Sequence, residues 1–366
     1  MVDRSSPRPP GPDPRRSRFD SRLGRPLAAL ASVLAVLLAL GAAELVSRRL
    51  DPQYLSRTRG YFVFSPVYGW TGRPHASLPM GSGRLTLDAR GYRSPRLPPP
   101  GDAQEIRLVV LGDSIASGFG VADEETFPHL IDAHDNPIRV ENLAVEGYGP
   151  GQELLVLQRE ALALDPDVVL LAVCLRNDFV DAMLPVALYD GVMPRPFFRL
   201  EKGVLRLDDG PVRRSAAGLA LQRLSDHSHL LGRLGAPLRR LAPEPERSWR
   251  HRKQEALTDE DYAFRLTFAL VEEMDRLCRE RGIRFVVATF PNGLGFGMRP
   301  SLHERLHAAL AQAGVPLVRM GARFEELGHT PESLSLDDVG HLAPEGHAAS
   351  ARILEREIVA LARTDG

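Results

Sequence analysis

The stretch Val109-Val110-Leu111-Gly112-Asp113-Ser114-Ile115-Ala116-Ser117-Gly118 decides the fold. The apolar run Ile106–Leu111 before and within it reads as a buried strand, and it stops at a glycine followed by a small polar cluster. A serine then stands at the carboxyl end of the strand, the edge at which open α/β sheets bind ligands. At a strand-to-helix turn, its hydroxyl and its own N–H can face the same crevice. The same residues also suit simple helix capping, so the stretch by itself leaves catalysis and capping both open.

Working outward, apolar runs alternate with amphipathic ones. Strands are expected at Arg139–Val145, Val168–Leu175, Arg284–Phe290 and Val315–Met320. Helices are expected at Glu124–His134, Gly151–Leu164, Asp261–Arg281, Ser301–Ala313 and Pro344–Ala362. This alternation implies an α/β fold: a parallel sheet with right-handed crossovers. Run-like rather than alternating strands imply helices on both faces. A long interruption at 183–258 breaks the rhythm. Within it, Arg195–Leu207 suggests a hairpin around Lys202-Gly203, and Ala216–Leu241 one or two amphipathic helices. Such an insertion either shapes a binding site or is passive, and both readings stand.

Upstream, residues 1–25 are rich in Pro, Ser and Arg without apolar periodicity and are expected to be a disordered cytoplasmic tail. Residues 26–46 form an apolar stretch of bilayer-spanning length, interrupted only by Ser32 before Glu44. A single N-terminal transmembrane helix is expected, retained as a signal anchor. The Arg-rich flank places the N-terminus in the cytoplasm and the remainder outside. A cleaved signal peptide is the rival, but the stretch is long for one. Residues 47–100 are punctuated by Pro and Gly, with Tyr68-Gly69-Trp70 and Gly91-Tyr92-Arg93 as landmarks. They suit a stalk or a small strand-rich collar ahead of a main domain at 101–366. The net charge of -1 gives no basis for nucleic-acid binding, and Cys174 and Cys278 make neither a disulfide framework nor a zinc site.

Serine needs a base, usually a histidine oriented by a carboxylate. Asp337-Asp338-Val339-Gly340-His341, just ahead of the closing helix, offers His341 as base and Asp338 as its orienter. Asp337 competes for the orienting role, and His347 more weakly for the base. Acyl transfer also needs oxyanion donors. Gly147 and Asn177 follow the next two strands and are expected on the same sheet edge.

Gly112-Asp113-Ser114, Gly147, Asn177-Asp178 and Asp338-x-x-His341, in this order, resemble the four blocks of the SGNH (GDSL) hydrolase superfamily over residues 101–366. The resemblance implies a flavodoxin-like parallel sheet. It implies Ser114 as nucleophile, His341 as base and Asp338 as orienter. It also implies an oxyanion hole of Ser114 N–H, Gly147 N–H and the Asn177 side chain, with no metal or cofactor. Arg176 departs from the small residue many members carry before the Asn-Asp pair, which bears on substrate shape. The collar landmarks resemble those of membrane-anchored extracytoplasmic members. The implied activity is that of a serine esterase on an acylated carbohydrate or other ester. An O-acyltransferase and a non-catalytic polysaccharide-binding protein remain as alternatives, and the oligomeric state is not specified.

Two competing motifs carry less. His303-Glu304-Arg305-Leu306-His307 has the H-E-x-x-H spacing of zincins, but Leu302, Leu306 and Leu310 form the buried stripe and the histidines flank it. They are expected on a solvated face. Neither G-x-G-x-x-G, a Walker loop nor G-x-S-x-G occurs around Ser114.

Overall fold

The computed structural model describes residues 14–50, 61–93, 105–187, 193–220, 228–231, 258–291, 300–337 and 340–363. Its centre is a parallel sheet of five strands: β1 (Ile106–Gly112), β2 (Ile138–Asn142), β3 (Val168–Cys174), β4 (Arg284–Phe290) and β5 (Leu317–Arg319). Their order across the sheet is 2-1-3-4-5, all pairs parallel. This is the flavodoxin-like order, and the chain reverses direction across the sheet between β1 and β3. The crevice at the carboxyl ends of those two strands is therefore the place for a ligand.

β3 is buried at every position because both of its faces are covered. Val109, Leu111, Val169, Leu171 and Val287 pack on one side, beneath the helices Pro150–Arg159, Glu260–Arg279 and Pro300–Gln312. Leu108, Val110, Leu170, Ala172 and Val286 pack on the other, beneath Phe127–Ala133, Met320–Glu326 and Pro344–Arg363. A period-two strand with both faces apolar reads as an unbroken hydrophobic run, which is why these strands were visible in the sequence. Strand and helix boundaries lie within a few residues of those expected. The short helix Met320–Glu326, directly after β5, was not anticipated.

The collar is strand-rich. Phe62–Ser65 pairs with Gly69–Gly72 and Ser77–Met80 with Gly83–Thr86, both antiparallel. It is packed on the main domain: Tyr61, Trp70, Leu85 and Tyr92 belong to the same buried cluster as Tyr148 and Leu154. In the insertion, Phe197–Glu201 pairs with Val204–Asp208. Lys202 and Gly203 both have positive φ (50° and 80°), as a two-residue hairpin turn requires. Most of the helical pattern expected at 216–241, and the Pro-rich 97–101, lie outside the described residues.

The N-terminal helix runs from Pro14 to Leu50 and so begins inside the segment expected to be disordered. Once the apolar part is helical, each added residue needs no new nucleation, and Pro14 suits a first helical position. Pro26–Arg49 is long and apolar enough to cross a membrane, with mean hydropathy 2.3 and its apolar window unburied by the protein. Near its end, Glu44 accepts hydrogen bonds from Ser228 Oγ (2.9 Å), His229 N (2.8 Å) and Leu230 N (2.9 Å). These tie the helix to the insertion.

Candidate active site

Ser114 opens a four-residue helical turn, Ser114–Ser117, directly after β1. Asp113 is its N-cap, with Oδ1 accepting from Ile115 N at 2.9 Å. The turn ends at Gly118, whose φ of +78° and contact with Thr126 leave no room for a side chain. As the first residue of the turn, Ser114 has an N–H with no intrahelical partner. Arg93 of the collar closes the other end. Its guanidinium donates to Ser117 O (3.0 Å), Gly118 O (2.5 Å) and Val121 O (2.6 Å), and pairs with Asp123 at 2.6 Å. Gly118 O also accepts from Val121 N at 3.4 Å, so Arg93 supplements one carbonyl of the turn and serves two others.

His341 lies in the loop before the closing helix. Its Nε2 is 3.0 Å from Ser114 Oγ and its Nδ1 is 2.7 Å from Asp337 Oδ2. A carboxylate can only accept here, so Nδ1 carries the proton and Nε2 is left to accept from the serine. Asp337 Oδ1 accepts from Gly340 N (2.9 Å) and His341 N (3.1 Å), which fixes the carboxylate within the turn. Burial works against the Asp337 charge. The hydrogen bond from His341 and the two N–H groups outweigh it, holding the carboxyl below its usual value. Phe119 packs against the imidazole with ring centroids 4.5 Å apart.

Among the described residues it is Asp337 that meets Nδ1; Asp338, the orienter expected from the sequence, lies outside them. In this tight turn the residue four before the histidine reaches back to both the backbone and the ring.

Gly147, after β2, has φ of +76°. Among the described residues its buried N–H and that of Ser114 have no acceptor. The Asn177 side chain, expected as a third donor, is bound to two carboxyl groups. Its Nδ2 donates to Asp113 Oδ2 (3.1 Å) and Asp181 Oδ2 (2.8 Å), which uses both of its hydrogens.

Near the serine turn lies a group of buried carboxyls, of which Asp113 and Asp178 stand in the quoted motifs and Glu153 was not singled out by the sequence. Asp113, Asp178 and Glu153 are almost wholly buried. Asp178 accepts from Cys174 N at 2.7 Å, whereas neither Glu153 oxygen has a partner among the described residues. Burial first, then repulsion among Glu153, Asp178, Asp113 and Asp181, raises the pKa of Glu153 and Asp178 well above the usual carboxylate value. Buried Arg195, from the insertion, faces this group. It donates to Asp181 (2.7 Å), Gln152 (3.3 Å) and the carbonyls of Leu184 (3.1 Å), Val186 (3.0 Å) and Gly147 (3.3 Å). An aspartate just before the serine is a capping signal in sequence; nothing local marks Arg195, Asp181 or Glu153.

His303 and His307 are not on a solvated face. His303 Nε2 is 3.0 Å from Leu175 O, and buried His307 Nε2 is 3.0 Å from Thr289 Oγ1. Burial lowers the pKa of both. The helix turns further toward β4 than the leucine stripe alone implies. His347 is likewise interior: Nδ1 accepts from Phe127 N at 3.2 Å, and burial pushes its pKa down to about 3.

No protein-family model and no curated protein matches the chain. Among solved structures it is similar to a GDSL-like lipase from Bacteroides thetaiotaomicron, at 14% identity and TM-score 0.39, over 71% of this chain and 92% of that one. It is similar to a catalytic mutant of an acetylxylan esterase from Geobacillus stearothermophilus, at 15% identity and TM-score 0.39, over 71% and 95%. It is also similar to an α/β hydrolase from the metagenome of Lake Arreo, Spain, at 15% identity and TM-score 0.40, over 71% and 98%.

Proposed function

We propose that the chain is a membrane-anchored serine esterase of the SGNH type. The observation that carries this proposal is the continuous hydrogen-bonded chain from Ser114 Oγ through His341 to Asp337, at the switch point of the sheet. His341 Nε2 takes the Ser114 proton as Oγ attacks an ester carbonyl. The N–H groups of Ser114 and Gly147 receive the oxyanion. Collapse of the tetrahedral intermediate releases the alcohol, protonated by His341, and leaves an acyl-Ser114 that water or a sugar hydroxyl discharges. Asn177 joins the oxyanion hole only by giving up one of its carboxylate partners, so the two backbone donors carry the initial step.

The apolar N-terminal helix and its Arg-rich cytoplasmic flank support a catalytic domain outside the membrane. Together with the sequence resemblance, they support O-acetylated envelope or exopolysaccharide sugars as the substrate class. The test is acetate release from acetylated glycans by the detergent-solubilised full chain, set beside cleavage of long-chain esters. Acetate release that stops with Ser114→Ala is expected. Efficient cleavage of long-chain esters with no acetate release would overturn the substrate assignment.

A further inference from the structure

Given the esterase function proposed above, we infer that Trp70 of the collar is a positioning residue for the oxyanion hole. It acts by fixing the peptide plane that carries the Gly147 N–H. The indole Nε1–H of Trp70 donates to Glu146 O at 3.1 Å. Glu146 C=O and Gly147 N–H belong to one peptide unit. In a trans peptide these two groups point in opposite directions, and no cis bond occurs among the described residues. Drawing the carbonyl toward the collar therefore turns the Gly147 N–H away from the collar. The chain here lies beside the nucleophile strand, since Val145 N donates to Gly112 O at 3.1 Å.

The need for an external clamp is local. Gly147 sits at φ +76°, in a region that glycine enters and leaves freely, so its own backbone does not fix the plane. Trp70 is itself immobilised. It is 2% exposed, its carbonyl accepts from Tyr148 Oη at 2.6 Å, and its ring meets that of Tyr148 edge-on at 5.6 Å. The clamp and the loop it grips are thus joined at two points. A buried N–H without an acceptor costs free energy, and it is held in that state by Trp70 on one side of the turn and by Arg195, on Gly147 O, on the other. Preorganised donors of this kind stabilise a transition-state charge without rearranging during reaction.

The experiment replaces Trp70 with Phe in the full chain, and separately with β-(3-benzothienyl)alanine, which keeps the bicyclic shape and lacks only the N–H. Steady-state constants are measured on an aryl acetate and on its thionoester, in which sulfur replaces the carbonyl oxygen and accepts hydrogen bonds poorly. Active enzyme is counted by a fluorophosphonate titrant. Per active site, kcat on the acetate is expected to fall about 10–100-fold. KM should stay within about 3-fold and the thionoester rate should change little, so the oxygen-over-sulfur preference collapses. Equal losses on both substrates, or no loss on either, would overturn the role of Trp70. Should the Phe variant not fold, the benzothienyl variant gives the same two readings. A wild type that turns over neither substrate would instead overturn the esterase proposal.

Discussion

Two imidazoles lie six residues apart at the start of the closing helix, in two different settings. His341 sits in a loop closed by Leu336 N to His341 O (2.6 Å), with a carboxylate on one nitrogen and the serine on the other. His347 sits one and a half turns on, within the helix, 1% exposed, stacked on Phe127 and bound to its N–H. The first is placed to exchange a proton. The second is a packed acceptor whose charged form the interior rejects. The difference teaches that chemistry here follows from the neighbours of each nitrogen, not from residue type or proximity in sequence. The carboxyls divide in the same way: donors hold the pKa of Asp337 below its usual value, while burial raises those of Asp178 and Glu153 well above theirs.

The widest separation between the two regions is expected on replacing each histidine. His341→Ala lowers kcat/KM by about 10⁴-fold or more, with little change in unfolding temperature. His347→Ala keeps activity per folded molecule within a few-fold but costs about 2 kcal/mol of stability. Ester hydrolysis and thermal unfolding of both variants check this, and a reversal would break the comparison.

Next in size is the choice of orienting carboxylate. Asp337→Asn is expected to lower kcat about 10²–10⁴-fold by favouring the wrong tautomer. Asp338→Asn should leave kcat within about 3-fold, since Nδ1 is already satisfied by Asp337. Parallel kcat measurements decide between them, and a larger loss at Asp338 would return the role to it.

The smallest effect is a pH dependence. His347 has a folded-state pKa of about 3 against an ordinary 6.5. Between those values the unfolded chain binds a proton that the folded chain refuses. Its contribution to stability is therefore complete above pH 6.5 and is lost as pH falls toward 3. Glu146 acts with the opposite sign. Burial raises its pKa to about 7 from 4.5, so its contribution is complete below pH 4.5 and is lost as pH rises through 7. The unfolding temperature of the wild type relative to His347→Asn should fall between pH 6.5 and 3. A flat difference would show that burial does not hold the ring neutral.

The sheet was legible in the sequence because Leu108–Leu111, Val168–Cys174 and Arg284–Phe290 are buried on both faces, and that condition writes an apolar run. Ser114, Gly147 and His341 stand out in the sequence as candidates because each follows a strand or precedes a helix at a turn, where local chemistry is constrained. Asp337 and Asp338 were not separable, since which neighbour reaches the ring depends on the geometry of one turn. The bond of Asn177 to Asp113, and the grip of Trp70 and Arg195 on residues 146–147, join positions more than forty residues apart. No local pattern records such contacts. His303 and His307 misled because flanking a leucine stripe was equated with exposure, whereas a helix over a sheet buries a wider arc.

The most direct test of the central claim is labelling of the full chain with a fluorophosphonate probe, wild type beside Ser114→Ala and Asp337→Asn. An activated serine predicts stoichiometric labelling of the wild type at Ser114, none in Ser114→Ala, and labelling slowed about 10²-fold or more in Asp337→Asn. A folded wild type that remains unlabelled would contradict the account.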